Sequence, residues 1–201
     1  MALTLLAGCQ EHSSTPPLTT GLPNPASSGA PDTASINQTV RGFYRWYASM
    51  IEQDQTTEFQ PIFAADTRGM MTLDLTRYLA NLRRLHFSEK LIQSEKDSYN
   101  TCINNLRTIP FTRRDSVLAD VVEYENRDCA FFDSYRWTKT MDVYNGIQLL
   151  QTLTDGDSAK VKVMIYEAYP DSQGVKKRVW ETPFTVQLVR TNETWQIDDI
   201  R

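Results

Sequence analysis

Histidine is nearly absent from this chain: its 201 residues include only His12 and His86. Cysteine is scarce as well, with three in all. So few ligands, at spacings that fit no zinc motif, lead us to expect no metal site and no metal cofactor. No apolar run approaches the roughly 18 residues that mark a membrane-spanning helix. Neither sign of charge dominates, with 21 Lys and Arg against 25 Asp and Glu. Residues 1–35 hold Glu11 and Asp32 and no base, so 36–201 carry 21 basic against 23 acidic groups. That balance leaves no electrostatic footprint for nucleic acid. The nucleophile elbow GxSxG, the P-loop and HExxH are missing too. Acid–base work would fall to Asp, Glu or Tyr alone. The reading is against an enzyme, and no cofactor is expected.

The amino terminus has features of its own. Leu6-Ala7-Gly8-Cys9 resembles the bacterial lipobox, an apolar residue and two small ones before the cysteine that receives lipid. The resemblance implies a signal peptide ending at residue 9, lipidation of Cys9 with palmitate among the acyl chains, and a membrane anchor. The apolar stretch covers only residues 2–6 with no Lys or Arg before it, which points to a start farther upstream or to a trimmed chain. Gln10, where inner-membrane lipoproteins carry Asp, implies the outer membrane and the periplasmic side. Of the 26 residues 10–35, 19 are Ser, Thr, Pro, Gly or Ala. Such a segment buries too little apolar surface to repay ordering and reads as a disordered tether. The domain expected after it spans 36–201.

Away from Cys9 there are two cysteines, Cys102 and Cys129, an even number that suits an oxidising compartment and predicts a disulfide. The alternative is two buried thiols.

Ser35 with Gln38 three residues on fits a capping box. Val40, Phe43, Tyr44, Tyr47, Met50 and Ile51 then recur at helical spacing, predicting a helix over 36–53. Trp46, at the edge of this stripe, is expected to be partly exposed. A second helix is predicted over 72–86 through Leu75, Tyr78, Leu79, Leu82 and Leu85, with Arg77, Arg83 and Arg84 solvated. A third starts at the Ser88 cap and stops before Pro110. Residues 111–146 resist assignment. Strands follow at 147–153, 159–167, 175–190 and 194–200, with Pro183 marking an edge or a bulge. Helices first, then an antiparallel meander, make the class α+β.

Val40-Arg-Gly-Phe-Tyr-Arg-Trp-Tyr47 on the first helix and the closing Thr194-Trp-Gln-Ile-Asp-Asp-Ile200 strand resemble the nuclear-transport-factor-two-like superfamily. More narrowly, they resemble small bacterial exported domains of unknown function that end in a Trp-x-Ile-Asp-Asp-Ile strand. The resemblance implies N-terminal helices packed on a curved antiparallel sheet, a cone-shaped roll with a cavity. The superfamily holds isomerases and dehydratases as well as binding modules, so fold alone assigns no function.

Two functions remain. One is a non-catalytic, membrane-anchored binding module with a protein partner in the periplasm, of which a toxin-immunity protein is one form. Its candidate surface is Phe132, Tyr135, Arg136 and Trp137, residue types that dominate interface hot spots; the other reading of that stretch is sheet core. The alternative function is a small-molecule binder or enzyme using the cone cavity, with Asp198 and Asp199 as candidate pocket carboxylates. On a regular strand these two alternate, Asp199 sharing a face with Trp195 and Ile197.

Overall fold

The structure is a computed structural model that describes residues 29–201. Cys9, the lipobox and residues 10–28 of the tether lie outside the described residues. The chain runs α1 (Gly29–Glu52), α2 (Thr56–Phe59), β1 (Ile62–Ala65), β2 (Met71–Asp74), α3 (Thr76–Arg84), α4 (Glu89–Ser98) and α5 (Asn100–Leu106). Two short helices follow, α6 (Arg114–Val117) and α7 (Val121–Glu125). The chain closes on β3 (Gly146–Asp155), β4 (Ser158–Pro170), β5 (Lys176–Thr191) and β6 (Thr194–Ile200). Helices thus precede a four-stranded antiparallel sheet in the order β3-β4-β5-β6, an α+β fold.

The apolar stripe of α1 does what its periodicity demands. Ile36, Val40, Phe43, Tyr44 and Tyr47 are buried against the inner sheet face of Val161, Val163, Ile165, Val186, Leu188 and Ile197. The helix begins at Gly29, earlier than the predicted Ser35 cap. Ser35 lies inside it and its carbonyl accepts from the Thr39 hydroxyl. The tertiary structure supports the added turns: Asp32 pairs with Arg190 at 3.2 Å, and Arg190 also holds Asp157 in the β3–β4 turn. Residues 29–35, read as tether, are therefore helical.

The second helix also differs from expectation. It starts at Thr76, because Met71–Asp74 pairs with Ile62–Ala65 as a small hairpin. Ser88 caps α4 as predicted, its hydroxyl accepting from the Leu91 N–H. The third helix breaks at Tyr99 into α4 and α5.

The Cys102–Cys129 disulfide is present and ties α5 to the segment after α7. Pro183 sits in a part of β5 that pairs with β4 but lies beyond the end of β6, so its missing N–H faces an open side. The Asn145-Gly146 pair, read as a turn, begins β3. There the Tyr166 ring covers Gly146 so closely that a Cβ would collide with it.

Candidate functional site

The candidate surface Phe132–Trp137 is divided between interior and exterior. The Trp137 ring is 5 % exposed and packs edge-on against Phe87 at 4.9 Å and Phe43 at 6.2 Å. Tyr135 meets Tyr47 and Phe59, and Phe132 meets Tyr124. Arg136 is half exposed, but its guanidinium is bound to Glu95. Trp137 therefore belongs to the core, while Phe132 and Tyr135 are partly buried and Arg136 stays exposed. The α1 aromatic stripe draws Trp137 inward through Phe43.

Glu95 escaped sequence reasoning, although a signal existed. It stands in the stripe Ile92, Tyr99, Cys102 and Leu106, a charged residue at a core position of the predicted helix. Its side chain is 1 % exposed. One carboxylate oxygen accepts from the Tyr78 and Tyr99 hydroxyls, each at 2.8 Å. The other accepts from Arg136 Nε and Nη2 at 2.9 and 2.7 Å. Burial, and after it the Glu95 charge, pushes both phenols above their ordinary range, so they remain donors. A carboxylate with four hydrogen bonds has its acceptor capacity filled. This network holds helices together rather than facing a substrate.

Asp198 and Asp199 are likewise engaged. Asp198 accepts from Ser88 Oγ at 2.7 Å and Lys90 Nζ at 2.6 Å, clasping the start of α4. Burial raises its carboxyl, but the bonds from Lys90 and Ser88 outweigh that and hold it below the ordinary carboxylate range. Asp199 accepts from Gln187 Nε2 and pairs with Arg201. The predicted alternation fails here. The β5–β6 register shifts between Gln187 and Leu188, leaving Asp198 as an extra residue, so buried Ile200 joins Trp195 and Ile197. Both aspartates are thus held in structural bonds, and Asp198 also lines a shallow groove beside Lys160 and Gln187.

A consequence of the Asp198 clasp can be tested by pH. Its folded-state pKa is lowered, so its contribution is full above the unfolded value of about 3.9 and fades as pH falls through the folded one. Asp198→Asn should cost about 1–2 kcal/mol at pH ~7. The gap between the two melting temperatures should narrow on acidification below about pH 4. A gap that is equal at both pH values would contradict this role.

One concave feature among the described residues is a groove of about 480 Å³ between α1, the end of α3 and β6. Gln38, Gly42 and Trp46 form its α1 wall, Arg84 and His86 the opposite wall, and Trp195 its floor. No carboxylate lines it among the described residues. Trp46 is half-buried, as its stripe-edge position predicted. The Arg84 guanidinium lies 5.7 Å from the Trp46 ring centroid, and Asn81 Oδ1 accepts from its Nε and Nη2. Asn81 is itself fixed by bonds to Glu58. Arg84 therefore keeps its charge and its Nη1 hydrogens for a ligand, with no ion-pair partner among the described residues.

His86 has φ +61, a left-handed conformation uncommon outside glycine, though His adopts it more readily than most residues. Its carbonyl accepts from Ile197 N–H, and Ser88 N–H returns to the Ile197 carbonyl, so the edge of β6 holds it there. Gly42 is exposed in mid-helix, and a Cβ there would meet nothing within 4 Å. A glycine in a helix interior costs about 1 kcal/mol relative to Ala. No steric conflict demands it, and its effect is to leave the groove open. Sequence reasoning identified Trp46 but left Arg84 as solvated surface and gave Gly42 and His86 no role. These residues meet only because α3 ends against β6.

Comparison of the chain with family models, with curated proteins and with solved structures returns no match.

Proposed function

We propose that this protein is a bacterial envelope lipoprotein that acts by binding a protein partner rather than by catalysis. Lipid on Cys9 anchors it, on this reading, to the outer membrane with the domain on the periplasmic side. Toxin immunity is one form such a module takes, and the nuclear-transport-factor-two-like superfamily is the group of folds to which the reading assigns it. The observation that carries the binding role is the groove, where Trp and Arg, the residues that dominate interface hot spots, stand together in a concave and accessible setting. Engagement of Asp198, Asp199 and Glu95 in structural bonds supports binding over acid–base chemistry. The Cys102–Cys129 disulfide supports an oxidising compartment.

Two measurements test this. Cys9→Ala should move the protein out of the membrane fraction and remove the lipid from its mass; unchanged fractionation and mass would overturn the anchor. A photo-crosslinker at Gln38, in cells carrying the full chain, should yield one discrete protein adduct that Gly42→Leu abolishes. The same probe at Lys160, on the opposite sheet face, should yield none. Equal labelling from both positions would overturn the groove as the binding site.

A further inference from the structure

We propose that the groove binds an acidic polypeptide segment, with Arg84 and, at the rim, Arg45 receiving its carboxylates and the part of the Trp46 indole that Arg84 leaves uncovered packing its apolar flank. This rests on the binding-module reading and names the chemistry of the partner. The argument is charge complementarity. The chain as a whole is acidic, at −4. Yet the charged residue lining the groove is Arg84, with no acid beside it among the described residues. Arg45 follows the groove-lining Gly42 by three positions, the spacing of neighbours on a helix surface. It is exposed and is therefore placed at the rim. The ion pairs of the described residues include Arg68, Arg77, Arg83, Arg114, Arg127, Arg136, Arg178, Arg190 and Arg201 but neither Arg84 nor Arg45. Arginines with no acid beside them favour an anionic occupant.

Geometry selects a carboxylate on a polypeptide over a sugar acid or a lipid surface. Arg84 covers the Trp46 ring, so the face on which a sugar ring would stack is occupied. The same stacking, together with Asn81, fixes the guanidinium plane in advance, and a planar fork set in this way suits a carboxylate. The site is concave, which a side chain enters and a flat bilayer does not.

The test uses the full-length chain and a dye-labelled short peptide of alternating Glu and Phe, read by fluorescence anisotropy. Its Gln-for-Glu counterpart is the control. The Glu peptide should bind and the Gln peptide should not. Arg84→Gln should weaken binding roughly tenfold, and added salt should weaken it further. Gly42→Leu, which fills the groove, should abolish binding without lowering the melting temperature. The double variant Lys176→Gln/Lys177→Gln, which removes charge on a distant hairpin, should bind as the parent does. Equal binding of the two peptides, or an equal loss in the lysine variant, would overturn the proposal. So would oligogalacturonate or phosphatidylglycerol vesicles that bind at the groove and displace the Glu peptide. If neither peptide binds while the Gln38 crosslinker still captures a partner, the acidic-segment proposal fails and the binding-module reading stands.

Discussion

Arg136→Met should destabilise the domain by about 2–4 kcal/mol, the largest single-residue loss expected outside the aromatic core. The variant keeps most of the side chain's bulk and removes only the counter-charge. Glu95, 1 % exposed, would then hold a carboxylate with two phenol donors and no cation. Removing one partner of a buried pair costs more than the pair was worth, because the survivor stays desolvated. Arg136 is itself 49 % exposed, so water relieves part of the penalty, which sets the figure below that of a fully enclosed pair. In melting temperature this is about 5–15 °C for a domain of this size. The double variant Glu95→Leu/Arg136→Met should recover much of the loss, since an apolar replacement removes the stranded charge as well. Thermal unfolding of the two variants decides the matter. An Arg136→Met melting point within about 2 °C of the parent would mean that the ion pair contributes nothing the phenols do not supply.

Removing the disulfide should have a comparable effect through a different term. Cys102 and Cys129 are 27 positions apart, and closing a loop of that length restrains the unfolded chain by about 3.5 kcal/mol in the chain-entropy account. Cys102→Ala/Cys129→Ala should therefore lower the melting temperature by about 7–14 °C. Both sulfurs are buried, so the double substitution is a cleaner test than added reductant. A thiol titration of the unfolded, unreduced protein that finds both cysteines free would refute the bridge. The two effects should not add. The bridge fixes the start of the segment that delivers Arg136 to Glu95, so the combined variant should lose less than the sum of its parts. Strict additivity would show that the segment reaches Glu95 without the bridge.

The parts of this fold legible in one dimension are those with strong local periodicity. The apolar stripe of α1, the Ser88 cap and the four alternating strands each carry their instruction in neighbouring residues, so they form where expected. The pairing of the two internal cysteines was legible by elimination, since no third internal cysteine competes. The edge position of Trp46 on its helix also foretold its half-burial.

What the local pattern could not supply depends on contacts between residues far apart in the chain. The first turns of α1 are polar, and they are helical in a structure where Arg190, 158 positions away, holds Asp32. Residues 71–74 read as helix until a short partner strand claims them. Trp137 has the composition of a hot spot and the environment of a core, because Phe43 and Phe87 surround it. Asp198 and Asp199 lost their alternation to a register shift, which moves every later side chain to the other face. The groove is the strongest case. Sequence alone determined that Trp46 would lie at a boundary and that Arg84 would be charged. Only the tertiary structure brought them to 5.7 Å, since their contact depends on β6 holding the end of α3 beside α1, and no periodicity within either helix encodes that.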